Sequence, residues 1–161
     1  MTDTERMTAA DVLRHLRRHH YRAAIVAEVT IADRWADADM ADGNPIDALP
    51  VYTRRIDALM FETRIRTAIE IKVTRADAKR DNYRKVYPWR QVVHRFVYAV
   101  PAGLIDAPPV HGCGLWWVHL DGRVEVRRKV TVNTTPEPLP QHVVQTLAYR
   151  AAGLPAPEAS P

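Results

Sequence analysis

The chain has 161 residues, of which 47% are hydrophobic and 26% are charged, and its formal net charge is +4. This composition is ordinary for a globular domain, so wholesale disorder is not expected. No apolar run approaches the roughly 18 residues needed to span a bilayer, and MTDTERMTAAD at the amino terminus lacks a signal-peptide core. Because Cys113 is the single cysteine, no intrachain disulfide can form, and we expect a cytoplasmic protein with no membrane partner.

The amino-terminal half of the chain predicts a helix followed by three strands. Apolar residues recur at helical spacing after Thr8, a suitable N-cap, so a helix is expected over residues 8–20. Short segments rich in β-branched residues predict strands at 23–31, 52–61 and 66–73. The long acidic loop between the first two strands, residues 33–50, has the length of functional or mobile loops.

The carboxyl-terminal half predicts a helix, a strand, a β-hairpin and a closing helix. Helical spacing resumes after Thr74, and Pro88 disfavours helical geometry at the residue before it, so a kink or restart is expected there. HRFVYAV, residues 94–100, predicts a strand. The Asp121-Gly122 pair suits a tight type I′ hairpin turn after GLWWVHL, and QHVVQTLAYRAAG predicts the last helix.

This order of elements predicts an α/β fold with a mixed central sheet flanked by helices. Residues 1–152 are expected to form a single domain, followed by a proline- and alanine-rich tail over residues 153–161.

Charged residues interrupt two neighbouring strands in RRIDALMFETRIRTAIEIKV, residues 54–73. Side chains alternate along a strand, so Glu70 and Lys72 share one face. If the turn is centred on Thr63-Arg64, Asp57 lies across from Glu70 with Cβ atoms about 5 Å apart, where like charges repel. Lys72 supplies part of the compensating charge, and a divalent metal ion would supply more.

Mg²⁺, or Mn²⁺ in its place, fits such a pair because it is typically held by one or two carboxylates, waters and substrate phosphates. The expected ligands are Asp57, Glu70 and the backbone carbonyl of Ile71. The chemistry that fits is phosphodiester hydrolysis, with Lys72 orienting the attacking water or stabilising the developing charge. An E-x-K triplet by itself is also typical of an ordinary ion pair on an exposed strand face.

A basic stretch follows these strands directly. Between residues 75 and 95 there are seven cations against two acids. Such an excess suits a polyanion partner, chiefly nucleic acid, although solvated charged helices also have it. The cations are Arg75, Lys79, Arg80, Arg84, Lys85, Arg90 and Arg95.

Asp57 followed by Glu70-Ile71-Lys72, in this order of elements, resembles the motif of the PD-(D/E)XK nuclease superfamily. More closely, RRIDAL, AIEIKVTRADAKRDNYRKVYPW, HRFVYAVPAGLI and GLWWV resemble the MmcB-like DNA-repair proteins of that superfamily, over residues 26–118. The resemblance implies a restriction-endonuclease-like αβββαβ core, here followed by a β-hairpin and a helix. It also places Asp57, Glu70 and Lys72 at the catalytic positions. The proline of the motif is absent, because Ile56 precedes Asp57.

The resemblance further implies where DNA, double-stranded or branched, and metal would bind. The helix after Lys72 would line the DNA groove. Relatives resemble one another in an additional amino-terminal glutamate that helps to hold metal. Glu28, which interrupts the apolar strand AIVAEVTI, is the candidate here; the alternative is an ion pair with an arginine such as Arg55. The expected DNA-binding residues are Arg75, Lys79, Arg80, Arg84, Lys85 and Tyr87, of which Lys85 and Tyr87 would lie near the site.

Three functions are consistent with these features. The first is a divalent-metal DNA nuclease acting in repair, recombination, restriction or phage DNA processing. The second is a nuclease-fold DNA-binding repair accessory whose cleavage is weak or absent. The third is a protein-interaction module with solvated strand charges. The complete Asp-Glu-Lys set favours the first over the second, and the basic helix disfavours the third.

The remaining expectations concern location, assembly and zinc. A nucleoid-associated protein of host, phage or mobile-element origin is compatible with the resemblance, as is a homodimer. His111, Cys113 and His119 have a spacing that matches no standard zinc site.

Overall fold

The computed structural model describes residues 6–33 and 52–155. The predicted acidic loop, apart from Asp33, and the end of the predicted tail lie outside the described residues. The elements are α1 (Ala9–His19), β1 (Ala24–Ala32), β2 (Thr53–Phe61), β3 (Arg66–Ile71), α2 (Arg75–Ala78), α3 (Tyr83–Val92), β4 (Arg95–Pro101), β5 (Gly114–Val118), β6 (Val124–Arg128) and α4 (Gln141–Ala151). None of the helices in the described ranges is long and apolar enough to cross a membrane.

The six strands form one open, mixed sheet in the order β1 to β6. The pairs β1–β2, β2–β3 and β5–β6 are antiparallel, whereas β3–β4 and β4–β5 are parallel. The α2 and α3 helices connect the parallel strands β3 and β4, as a crossover requires. The predicted fold class, a mixed α/β fold with helices flanking the sheet, is confirmed.

Two hydrophobic clusters cover the two faces of the sheet. Trp89 of α3 and Val143 of α4 are buried in one cluster, and Val12 and Leu16 of α1 are buried in the other. Strand alternation decides which cluster a residue joins. The sheet is therefore covered by α1 on one face and by α3 and α4 on the other.

The start of α1 has the predicted N-cap. The Thr8 hydroxyl accepts a hydrogen bond from the Asp11 amide at 3.2 Å, and Asp11 Oδ2 accepts one from the Thr8 amide at 2.9 Å. This reciprocal capping box satisfies two amides that the helix itself leaves unpaired. The hydrogen bonds from Thr8 lower the pKa of Asp11 to about 2.

The helix after β3 breaks earlier than the sequence predicted. Thr74 caps it as expected, but α2 is a single turn, and Pro88 lies inside α3 rather than at a restart. The cause is Asn82, whose side-chain oxygen accepts a hydrogen bond from the Lys85 amide at 3.1 Å and so begins a new helix. Pro88 therefore lies inside α3, where it lacks the amide that would donate to the Arg84 carbonyl.

The hairpin of β5 and β6 has a longer turn than the predicted type I′ turn. The His119 amide donates to the Arg123 carbonyl at 2.9 Å, which leaves three residues in the loop. Gly122 has φ +87° and its amide donates to the His119 carbonyl at 2.9 Å. This is the geometry of a three-residue connection, in which glycine takes the left-handed position after a type I turn.

Candidate active site

The β2–β3 hairpin has the predicted register. Its turn is centred on Thr63-Arg64, and the last ladder pair before the strands separate is Ala58 with Ile69. Continued by one residue, this register places Asp57 opposite Glu70. The two carboxylates therefore lie where the sequence predicted, at the open end of the hairpin.

The Asp57 side chain forms a hydrogen bond to β3 at the point where the β2–β3 backbone pairing ends. Its Oδ2 accepts a hydrogen bond from the Ile71 amide at 2.7 Å. The Asp57 carboxylate therefore accepts a hydrogen bond from the Ile71 amide, which would otherwise face β2 where that strand separates from β3. The contact also fixes the position of the Asp57 carboxylate relative to β3.

Glu70 and Lys72 form a buried ion pair on one face of the sheet. Lys72 Nζ lies 2.9 Å from Glu70 Oε1, and the two side chains are 4% and 9% exposed. Burial and the charge of Asp57 raise the pKa of Glu70. Burial alone would lower the pKa of Lys72, but the carboxylates of Glu70 and Asp81 outweigh it and raise that pKa. Because the pair is enclosed, it is not a solvated strand face.

Asp81 belongs to this cluster and was missed by the sequence analysis. Its Oδ1 lies 2.7 Å from Lys85 Nζ and 3.2 Å from Lys72 Nζ. Lys85 Nζ also lies 3.5 Å from Glu70 Oε1, and Lys72 Nζ lies 3.4 Å from Asp77 Oδ2. The available signal was the Asp81–Lys85 spacing of four residues within the predicted helical segment. In the structure Asp81 lies just before the Asn82 N-cap of α3, and the two side chains still meet.

Two polar atoms beside the cluster are buried without a hydrogen bond of regular geometry in the described part of the chain: Asp81 Oδ2 and Tyr98 Oη. Burial, and then the charge of Asp81, raises the pKa of Tyr98. Tyr98 pairs with Glu70 across the parallel strands β3 and β4, so it extends the polar surface of the site.

The donor set fits Mg²⁺ or Mn²⁺. Asp57 and Glu70 offer carboxylate oxygens; burial and then the charge of Asp57 raise the pKa of Glu70, whereas the ammonium groups of Lys72 and Lys85 act to lower it. Among the residues described, no group of three or more His, Cys, Asp or Glu side chains is arranged to hold a metal ion. Two carboxylates are nevertheless a usual protein contribution to a magnesium site, with water and phosphate supplying the rest.

Glu28 lies opposite Asp57 in the β1–β2 register, but its side chain is largely in solvent. The Glu28 side chain is 68% exposed, and its Oε1 lies 3.7 Å from Arg55 Nη1. The structure thus shows the ion pair that the sequence offered as the alternative to a metal ligand. A metal-binding role for Glu28 stays a prediction.

The predicted DNA-binding residues divide by exposure. Lys79, Arg80 and Arg84 are exposed at α2, α3 and the turn between them. Arg75 is exposed too, although its Nε donates to a backbone carbonyl at 2.8 Å. Tyr87 is half-buried against Tyr83, with ring centroids 5.6 Å apart. The exposed cations begin directly after the buried pair, so cluster and basic surface are adjacent.

No family model and no curated protein matches the chain. A solved structure with a similar fold is the SPO1766 protein of unknown function from Silicibacter pomeroyi. The two sequences are 20% identical, and the superposition covers 95% of this chain and 88% of that chain with a TM-score of 0.51. At this identity the similarity shows the fold alone, a mixed α/β arrangement.

Proposed function

We propose that the protein is a divalent-metal-dependent DNA nuclease of the PD-(D/E)XK type, similar to the MmcB-like DNA-repair proteins. The observation that supports this proposal is the enclosed Glu70–Lys72 pair beside Asp57, at the open end of the β2–β3 hairpin. The order of the elements agrees with a restriction-endonuclease-like core. A cytoplasmic, nucleoid-associated location belongs to the same proposal.

Asp57 and Glu70, with the Ile71 carbonyl, would hold Mg²⁺ or Mn²⁺. When bound, such an ion polarises the scissile phosphate and lowers the pKa of a bound water. Lys72 has a different task. Because its pKa is raised, it stays protonated at neutral pH and serves as a hydrogen-bond donor to a phosphate oxygen or water, not as a general base.

Asp81 and Lys85 would set the position of the Lys72 ammonium. Asp81 lies within ion-pair distance of Lys72 and Lys85, and so does Glu70 on β3. Two carboxylates thus face two ammonium groups. A donor fixed in this way is better oriented than one on a free surface side chain.

The exposed cations at and after α2 would bind the DNA backbone. Lys79 and Arg80 present their charges at the surface next to the buried cluster. Interactions with phosphates give affinity and register without sequence information. These contacts are therefore expected to contribute alike to the binding of unrelated DNA sequences.

The test is cleavage of linear, nicked, branched and single-stranded DNA with Mg²⁺, Mn²⁺ or EDTA. Asp57→Ala, Glu70→Ala and Lys72→Ala should each lower the cleavage rate about a hundredfold or more, since each removes a metal ligand or the charge at the phosphate. Glu62→Ala is the matched control, because Glu62 is an exposed carboxylate of the same hairpin. Near-wild-type cleavage by a folded Glu70→Ala protein would contradict the proposal.

One observation favours the second candidate, a nuclease-fold DNA-binding repair accessory with weak or no cleavage. The Lys72 ammonium is within 3.4 Å of three carboxylates, Glu70, Asp77 and Asp81. A lysine held so firmly could be a purely structural charge. DNA binding of equal strength with Mg²⁺ and with EDTA, without cleavage of any substrate, would favour this candidate.

A further inference from the structure

The β1 strand is distorted directly beside Asp57. Within residues 6–33 and 52–155, Glu28 is the one non-glycine residue with a positive φ, at +51°. Ordinary side chains disfavour this left-handed conformation. The pairs Ala27–Ala58 and Val29–Ile56 form on either side, while the intervening position, Glu28 opposite Asp57, makes no regular pair.

The distortion changes which face the flanking residues occupy. Residues three apart on a regular strand point to opposite faces. Val26 and Val29 nevertheless pack in the same hydrophobic cluster, and so do Leu59 and Ile56 on β2. The alternation is therefore shifted by one residue at Glu28 on β1 and at Asp57 on β2.

Arg150 of α4 contacts the backbone at this point. Its Nη1 donates to the Ala27 carbonyl and its Nη2 donates to the Glu28 carbonyl, the latter at 2.9 Å. Consecutive carbonyls of a regular strand point to opposite sides. One planar guanidinium reaches both because the backbone is turned at Glu28, and the two-pronged contact holds that turn.

We propose that Arg150 is a positioning residue for Asp57. By holding the turned backbone at Glu28, it maintains the shifted alternation across the β1–β2 pair. That shift leaves Asp57 free to direct its carboxylate to the Ile71 amide. The importance of this position for cleavage rests on the proposed nuclease function; the structural coupling does not.

The Ile71 amide reports on the coupling without substrate or metal. In Arg150→Met, the Asp57–Ile71 hydrogen bond should weaken, so the Ile71 amide proton should shift upfield and exchange about fivefold faster. The Ile69 amide of the same strand serves as the internal reference. An unchanged Ile71 amide in a folded Arg150→Met protein would overturn the proposal.

A second contact between α4 and β1 provides the control. His142 Nε2 accepts a hydrogen bond from the Ala32 amide at 3.2 Å. His142→Leu removes this hydrogen bond without touching residue 28, so it should lower the melting temperature and leave the Ile71 amide unchanged. Equal changes at Ile71 in both variants would mean that Arg150 acts only through general stability.

A glycine at position 28 provides the rescue. Glycine adopts positive φ readily, so the turned backbone needs less support from Arg150 in Glu28→Gly. In the double variant Glu28→Gly/Arg150→Met, the chemical shift of the Ile71 amide proton should return most of the way from its Arg150→Met value to its wild-type value. If Arg150→Met does not fold, Arg150→Lys decides, since one ammonium replaces a two-pronged guanidinium and an intermediate Ile71 shift is expected; no shift would overturn the proposal.

The coupling between Arg150 and the Ile71 amide can be tested separately from the nuclease function. Absence of cleavage in the wild type would remove the proposed function and leave the Arg150–Ile71 coupling measurable. If cleavage is present, Arg150→Met should lower kcat about fivefold with little change in KM, because the DNA-binding residues are elsewhere.

Discussion

The ammonium of Lys72, which directly follows β3, lies 2.9 Å from the carboxylate of Glu70 near the end of that strand, and neither side chain is more than 9% exposed. Such enclosure makes each partner costly to remove, because the other is left as an uncompensated charge. The same pair on a solvated strand would contribute little to stability.

Lys72→Met should therefore lower the free energy of unfolding by about 3–5 kcal/mol, since Glu70 and Asp81 would be left with Lys85 alone. Urea unfolding measures the change. The double variant Lys72→Met/Glu70→Gln should lose less than Lys72→Met, because it removes one of the uncompensated carboxylates. A double variant that is no more stable than Lys72→Met would contradict this account. Cleavage by Lys72 variants has to be measured where they are folded.

Glu70→Gln should flatten the dependence of stability on pH. The pKa of Glu70 in the folded protein is raised above 4.5, mainly by burial and then by the charge of Asp57. The stability associated with the protonated form is fully present below pH 4.5 and is lost as the pH rises through the raised pKa. Urea unfolding in EDTA at a series of pH values from 4.5 upward should show that the free energy of unfolding of Glu70→Gln rises relative to that of the wild type as the pH increases. A constant difference at every pH would contradict it.

Asp57→Asn separates a metal site from an ordinary ion pair. Without metal, neutralising Asp57 relieves its repulsion of Glu70 and should raise stability by a few tenths to about 1 kcal/mol. Mg²⁺ or Mn²⁺ at a hundredfold excess over its dissociation constant should stabilise the wild type by about 2.7 kcal/mol and the variant hardly at all. Melting temperatures with EDTA and with each ion provide the measurement; equal metal shifts would remove Asp57 from the site.

Glu28→Gln is the companion measurement to Asp57→Asn. Because the Glu28 carboxylate is 68% exposed and 3.7 Å from Arg55, this variant should keep most of the metal response. Loss of the metal response in Glu28→Gln would instead assign Glu28 to the metal.

Neutralising the exposed cations should change the salt dependence of DNA binding. For each phosphate that Lys79→Gln or Arg84→Gln leaves without its cation, the slope of log K against log salt should flatten by about 0.9, for unrelated DNA sequences alike. Arg17→Gln/Arg18→Gln, exposed on α1 across the sheet, is the matched control and should leave the slope unchanged. A larger effect of the control pair would place the DNA on the α1 face.

His20 should make the protein sensitive to mild acid. Its ring stacks on Trp116 with centroids 5.2 Å apart, and burial, with the charge of His19, lowers its pKa below 6.5. The stability associated with neutral His20 is complete above pH 6.5 and is lost as the pH falls through the lowered pKa. His20→Phe keeps the stacking and should reduce this loss, as melting temperatures from pH 7 downward would show. Parallel losses in both proteins would exclude His20 as the cause.

Local features predicted by the sequence agree with the structure. The capping box at Thr8, the N-cap at Thr74 and the order of the elements depend on neighbouring residues, so they could be inferred from spacing. The register of the β2–β3 hairpin also follows from one short turn, and it placed Asp57 opposite Glu70 correctly. These interactions need little chain closure and are therefore encoded locally.

Short-range competition decided the elements that differed from prediction. The new helix begins after Asn82 and not at Pro88, where the sequence predicted a kink or restart. The hairpin turn that contains Gly122 has three residues instead of the predicted two. In both places two local signals overlapped, and the structure has the Lys85 amide hydrogen-bonded to Asn82 and the Gly122 amide hydrogen-bonded to the His119 carbonyl.

Only the tertiary structure decided what surrounds the carboxylates. The segment from α2 to α3 brings Asp77, Asp81 and Lys85 beside Glu70 and Lys72, so an alternating charge pattern became a buried cluster. Arg150 meets the Glu28 carbonyl across 122 positions of sequence, and no spacing rule relates residues so far apart. The sequence determines which charges are available; packing of the helices on the sheet determines which of them lose water, and desolvation governs their pKa values and their strength.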